Sequence, residues 1–219
     1  DISNQNLFIH HMRNLIFFTT IIFHFPFSIF HFPLFAQHDP HALEILEKMS
    51  SKYSSIKAFK AQISYFMESP ATGITQNEQW EITVKGDKYR LVMGEQEIFN
   101  NGKTIWNYLK EANEVNISDY EPEENEITPT EIYTMYKKGY KYWLIEEKTM
   151  SGKVYHVVDL TPENRDQQVF KVRILINKKD NLILSWKIFE KNGNRYLYTI
   201  KKFIPNINVD DNYFVFDKS

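Results

Sequence analysis

Beyond residue 39 the chain shows one helical period and then many strand periods. Ala42, Ile45, Leu46, Met49 and Tyr53 recur at three- and four-residue spacing behind Asp39-Pro40. Asp followed by Pro suits an N-cap and first helical position, so the spacing predicts an amphipathic helix running to about Ser54. Period two follows. Phe59, Ala61, Ile63, Tyr65 and Met67 alternate with Lys60, Gln62, Ser64 and Glu68, and Trp80, Ile82 and Val84 alternate with Glu81, Thr83 and Lys85. Gly86-Asp87 is a turn signal, after which residues 89–93 return as a strand. Asn101-Gly102 between Asn100 and Thr104 favours a type I′ hairpin. Residues 105–109 and 115–118 continue the meander.

The acidic run DYEPEENE, residues 119–126, contains Pro122 and reads as a loop. Its alternatives are a solvated surface and a docking surface for a basic partner. Thr128-Pro129-Thr130-Glu131 predicts a second helix start, Ile132, Met135 and Tyr136 its apolar face, and Gly139 its end. A second strand set follows at 140–146, 154–160, 170–176, 182–189 and 196–203, and Phe214 and Phe216 close the chain. The order helix, meander, helix, meander is α+β with a large antiparallel sheet. Several strands are apolar on both faces. Trp106 and Tyr108 oppose Ile105 and Leu109; Trp143 and Ile145 oppose Tyr142 and Leu144; Ile183 and Phe189 oppose Leu182, Leu184, Trp186 and Ile188. Two readings stay open: a core plus ordinary surface apolars, or a curved sheet around a greasy interior.

The N-terminal sequence changes the compartment. Met12-Arg13 precedes an apolar run broken by Thr19 and Thr20, and Phe23-His24-Phe25-Pro26-Phe27 is echoed by Phe30-His31-Phe32-Pro33-Leu34. A basic start, an apolar middle and a small residue before a polarity change describe a secretory signal peptide, residues 12–36, cut after Ala36. Residues 15–36 are just long enough to span a bilayer. His24, Pro26, His31 and Pro33 disfavour that anchor, and two His without Cys or carboxylate neighbours are a weak metal set. Residues 1–11 read as upstream sequence outside the protein proper. Residues 37–219 are expected to form one domain, in the periplasm.

Composition narrows the chemistry. A net charge of −2 argues against a nucleic-acid partner. The chain has no Cys, which excludes disulfides, thiol catalysis and anchoring through an acylated cysteine. Aromatic residues make up 16% of the chain, and all the Trp and Tyr lie beyond residue 36; a small neutral domain so rich in rings has a well-filled core or an apolar site. No G-x-S-x-G, H-E-x-x-H, P-loop or G-x-G-x-x-G motif is present. His38 and His41 sit at the domain start, and His156 reads as a strand histidine. Asp159 and Glu163 are a conceivable carboxylate pair that nothing singles out.

Three phrases, taken in order, carry a family resemblance: ALEILEKMSSKYSSIKAFKAQISY, NNGKTIWNYLKEANEVNIS and VDLTPENRDQQVFKVRILINKKDNLILSWKIFEKNGNRYLYTIKKFIPNINVDDNYFVFD. Across residues 41–217 the chain resembles the periplasmic outer-membrane lipoprotein carriers, the LolA-like proteins. The segment DYEPEENEITPTEIYTMYKKG leans toward the Bacteroidetes-type variant. The best-known relatives carry Arg-Pro after the Val-Lys phrase, where this chain has Gly86-Asp87 after Val84-Lys85; Arg90 is nearby but is not the same position, so the family's lid-gating arginine is not carried over.

The resemblance implies a half-open antiparallel β-barrel with helices covering an apolar cavity. It implies Ile63, Tyr65, Trp80, Ile82, Leu91, Met93, Ile105, Tyr142, Leu144 and Trp186 as cavity wall and Ile132, Met135 and Tyr136 as lid; a one-residue register slip would exchange the faces. The implied function is a monomeric, non-enzymatic, cofactor-free periplasmic chaperone. Its cargo would be acylated outer-membrane lipoproteins. An inner-membrane ABC-type lipoprotein-releasing complex would load it, and an outer-membrane acceptor protein or the membrane would unload it. The physics fits: at about 0.8 kcal/mol per buried CH₂, a multiply acylated anchor gains on the order of tens of kcal/mol by leaving water. The alternatives are an envelope lipid sensor or a free-lipid-binding protein of the same fold, and an enzyme acting on lipid or glycan.

Overall fold

A computed structural model describes residues 39–121 and 130–217. The signal segment, the repeated His-Phe-Pro phrases, His38, residues 122–126 of the acidic run and Thr128-Pro129 lie outside the described residues.

Helix α1 spans Pro40–Ser54. Asp39 caps it, its side chain accepting from the His41 N–H at 2.9 Å. Ala42, Ile45, Leu46, Met49 and Tyr53 form one buried stripe, so the sequence periodicity and the packed face coincide. Eleven strands follow: β1 Phe59–Ser69, β2 Ile74–Lys85, β3 Lys88–Met93, β4 Gln96–Asn100, β5 Thr104–Leu109, β6 Glu114–Asp119, β7 Tyr140–Met150, β8 Lys153–Pro162, β9 Val169–Asn177, β10 Ile183–Glu190 and β11 Arg195–Pro205. They form one antiparallel sheet in the order β6-β5-β4-β3-β2-β1-β11-β10-β9-β8-β7. Each half is a meander, and the halves join where β1 pairs with β11. The sheet does not close: β6 and β7, consecutive in the chain, are its opposite edges.

Turn chemistry sets the hairpins. Ser151 and Gly152 both hold positive φ, +49° and +74°, as a two-residue type I′ turn requires. The turn expected to be type I′ at Asn101-Gly102 is different. Only Gly102 is left-handed, and Asn101 Oδ1 accepts from the Lys103 and Thr104 N–H groups at 2.9 and 2.8 Å. The Asn side chain builds an Asx turn rather than lending its backbone to αL. Register shifts at Gln62/Ile63, Leu144/Glu146, Ile183/Ser185 and Phe189/Glu190 mark bulges, which bend and twist a sheet locally.

The second helix expected after Thr130 is absent among the described residues. Residues 130–134 form turns, and Met135–Lys137 is a single 3₁₀ turn whose N-cap Thr134 makes no side-chain capping bond. Gly139 at φ +69° turns the chain into β7. The segment between is too short for α-helix nucleation to be repaid by propagation. Among the described residues the architecture is therefore one α-helix on an open sheet, where the resemblance implies helices covering a half-open barrel.

The two-faced strands resolve by location. On the helix-bearing face, Leu46, Met49, Ile82, Leu160, Val172 and Ile174 belong to one buried cluster. On the other face of β3–β5, residues 206–217 lie against the sheet. Phe216 packs edge-on to Phe99 and tilted against Tyr108 at ring separations of 5.6 and 5.0 Å, and Phe214 is fully buried. Asp211 is paired with Lys85 and Lys88 at 2.8 and 2.6 Å. Arg90 sits over the rings of Phe99 and Tyr213 and binds Glu97 through Nε and Nη2.

Candidate functional site

The strand register decides which side chains share a face. Trp80 of β2 faces Ile63 of β1 and Met93 of β3, and Ile63 faces Ile200 of β11. In the next row Ile82 faces Ala61 and Leu91, and Leu91 faces Ile98. These rows run across the junction of the two halves, on the face that carries α1.

Between them lies a cavity of about 270 Å³. Its floor is Phe59, Ala61 and Ile63 of β1, Trp80 and Ile82 of β2, Tyr89, Leu91 and Met93 of β3 and Ile98 of β4. Ile183, Trp186 and Ile188 of β10 and Tyr198 and Ile200 of β11 complete it on the other half. Tyr53 of α1 and Ile132 and Tyr133 of the segment before β7 close the wall. No charged side chain lines it.

Rings order one end. Trp186 stacks on Tyr198 at 4.8 Å and Tyr65 stacks on Trp80 at 4.2 Å, with Tyr65 and Tyr198 in tilted contact at 5.3 Å. Tyr53 and Tyr133 stack at 5.0 Å on the helix side. The polar side-chain groups on the wall are phenols and two indoles. The Tyr53 hydroxyl accepts from the Ile183 N–H at 3.2 Å, and the Trp80 Nε1–H donates to Glu78 at 2.7 Å. Burial drives the phenols of Tyr53 and Tyr198 far above the usual tyrosine range, so both are neutral.

All ten residues named as cavity wall lie on this face of the sheet. Ile63, Trp80, Ile82, Leu91, Met93 and Trp186 line the cavity itself. Tyr65 stands behind Trp80. Ile105 is on the same face but one strand beyond Ile98. Tyr142 and Leu144 lie on β7, Tyr142 beside a shallower depression it shares with Tyr136, Leu43 and Glu47. Of the three residues named as lid, only Ile132 reaches the cavity; Met135 and Tyr136 are buried in the surrounding cluster. Sequence reasoning missed Tyr53 of α1, Tyr133 of the turn segment, and Phe59, Ala61, Tyr89, Ile98, Ile183, Ile188, Tyr198 and Ile200 of the strands. Alternation gives the face of most of these strand residues, but their convergence depends on β1 meeting β11 across the whole chain.

The other candidate groups are engaged elsewhere. Asp159 takes both Arg173 Nε and Nη2, at 2.6 and 2.8 Å, which is a structural pair. His156 has Nδ1 3.5 Å from Glu147, and burial lowers its pKa despite that carboxylate. Among the described residues no group of three or more His, Cys, Asp or Glu is placed to hold a metal ion.

Comparison with known proteins then adds ancestry. The family model for "Outer membrane lipoprotein carrier protein LolA" matches residues 32–190. No curated protein matches the chain. Among solved structures, an uncharacterized conserved protein from Thermus thermophilus shares the fold, with 13% identity, coverage of 81% of this chain and 95% of that one, and a TM-score of 0.56. A LolA superfamily protein from Nitrosomonas europaea matches at 13% identity over 80% of this chain and 97% of that one, with a TM-score of 0.44. A chain of the Pseudomonas aeruginosa MucA/MucB complex matches at 14% identity over 81% of this chain and 61% of that one, also with a TM-score of 0.44.

Proposed function

The chain belongs to the family of outer membrane lipoprotein carrier proteins, and from that membership we propose that it is a periplasmic chaperone that holds lipoprotein acyl chains in the cavity between its two half-sheets. The observation that carries this reading is the wall. It is built from two meanders and a helix, yet every side chain on it is aliphatic, aromatic or thioether. A pocket with no convergent charged group is suited to burying hydrocarbon and unsuited to acid–base or nucleophilic work.

The remaining parts of the cycle follow from solubility. Acyl chains released into water lose the burial energy that anchored them, so cargo passes from protein to protein or to a membrane. The chain carries no nucleotide motif, and an inner-membrane ABC-type complex would supply the energy for loading. An outer-membrane acceptor or the membrane itself would take the cargo. The N-terminal segment would export the chain and be removed.

Cavity size favours a second reading for comparison. About 270 Å³ lies just under the ~300–1,000 Å³ usual for small-molecule pockets. That is nearer the volume of one acyl chain than of several, so a free-lipid carrier needs less rearrangement. A multiply acylated anchor requires the wall at Ile132 and Tyr133 to move outward.

The test uses protein recovered from the envelope of cells expressing the full chain. It is added to spheroplasts making a radiolabelled outer-membrane lipoprotein, and the supernatant is assayed for a soluble complex. A complex supports the carrier reading. Label that stays in the membrane, while the protein still binds palmitate, transfers the site to free lipid. Leu91→Glu puts a carboxylate into the buried wall and abolishes palmitate binding, whereas Ile117→Glu, at an exposed position of β6, leaves it intact.

A further inference from the structure

Strand β2 is longer than its neighbour. β1 pairs with it from Ile74 to Val84, but β3 pairs only with Trp80–Lys85. Residues 74–79 therefore have a partner on one side and, among the described residues, none on the other, and all six are exposed. The two-residue Gly86-Asp87 turn makes Lys85 and Lys88 the closing hydrogen-bonded pair. By alternation without a register shift, Thr75, Asn77 and Gln79 aim their backbone N–H and C=O groups away from β1, into the open side.

This free edge begins where the cavity opens. Along β1, β2 and β3, burial is complete near the helix, at Phe59, Val84 and Tyr89, and relaxes at the far end, at Met67, Trp80 and Met93. The half-exposed ring of Trp80 is both cavity wall and the first residue beyond the free stretch.

We propose that residues 74–79 receive, as an added antiparallel or parallel strand, the extended peptide that directly follows the acylated N-terminus of a cargo lipoprotein. The inference rests on the carrier reading of the cavity. An acyl group seated against Trp80 and Met93 delivers its attached peptide to this edge. Strand addition reads main-chain groups, which suits cargo that shares an anchor but differs in sequence. The edge carries no Lys or Pro to block pairing, and its one charged residue, Glu78, directs its backbone groups toward β1 rather than the open side.

The test compares two probes, palmitate and a palmitoylated hexapeptide, on the full chain and on Asn77→Pro. Proline at 77 removes a donor on the open side only, the one arrangement a strand tolerates. The wild type binds the lipopeptide more tightly than palmitate, and Asn77→Pro lowers lipopeptide affinity about tenfold while palmitate binding stays constant. In hydrogen exchange on the wild type, the Thr75, Asn77 and Gln79 amides gain protection with lipopeptide, while those of Gln76 and Glu78 are protected beforehand. Unchanged exchange at Thr75, Asn77 and Gln79, or a lipopeptide advantage that survives in Asn77→Pro, overturns the inference and leaves the cavity reading standing. Failure of the wild type to bind either probe removes the cavity reading and this inference together.

Discussion

The two halves of the sheet are fastened by opposite and unexpected means. Helix α1 leads directly into β1, yet its N-terminus is tied to β7 at the far edge. The Asp39 N–H donates to the Tyr142 carbonyl at 3.3 Å, and Asp39 Oδ2 accepts from the Leu144 N–H at 2.9 Å. The C-terminal segment leaves β11 in the middle of the sheet and fastens β3–β5 from the opposite face, through Asp211, Phe214 and Phe216. The β1–β6 half hides its outer apolar row under this strap. The β7–β11 half instead mixes buried Tyr155 and Val157 on that face with Asp159, Arg173, Lys171 and Lys187, and leaves Trp143, Ile145 and Phe170 partly in water. The difference teaches that a sheet apolar on both faces can be made tolerable by a chain end or by ion pairs, and that only the first also ties distant parts together.

The contrast can be broken at its strongest point by Phe214→Ala. Phe214 is fully buried, and truncating such a side chain costs about 3–5 kcal/mol. Urea unfolding monitored by tryptophan fluorescence should show the loss, whereas Phe170→Ala on the half without a strap should change the midpoint little. The next effect in size is at the other tether. Asp39→Ala removes an N-cap and the Leu144 bond together, and the expected cost is about 1–2 kcal/mol. Asp39→Asn keeps an acceptor for one of the two N–H groups and should recover part of it, measured by the same melts.

The smallest effect is a pH dependence confined to the strap. Hydrogen bonds from Lys85 and Lys88 lower the Asp211 pKa to about 2 from an ordinary 3.8. The folded pKa is depressed, so the stability it contributes is complete above the unfolded value and is lost as pH falls through the folded one. Acid should therefore loosen Tyr213 and Phe216 between about pH 4 and pH 2. Asp211→Asn should flatten that portion of the acid titration, followed by NMR of the Phe216 ring. Asp211 is exposed, so a strap that releases at the same pH in both proteins would show that Phe214 alone holds it.

Much of this was legible in the sequence. The helix and its cap and the strand order within each half follow from periods of 3.6 and 2, but strict alternation sets Ile183 opposite Trp186 and Ile188, and the bulge between Ile183 and Ser185 brings all three to one wall. Alternation reveals a face but not a place along or across the sheet, which is why it groups Ile105 and Leu144 with Leu91 although they stand outside the cavity. Phe214 and Phe216 read only as a chain end, and the ring partners of Phe216, Phe99 and Tyr108, are far upstream in the chain. The expected second helix fails for a local reason among the described residues: Ile132, Met135 and Tyr136 have helical spacing, but Gly139 turns the chain into β7 before the run has the length to propagate.

Tyr198 and Ile200, which complete the cavity wall, belong to the last strand, and that strand zips onto the first. A growing chain therefore lacks a complete cavity wall until residue 200 is made. Before then the apolar faces of β1 and β10 have no strand between them. The enclosure is assembled last, by the strand that also joins the two halves.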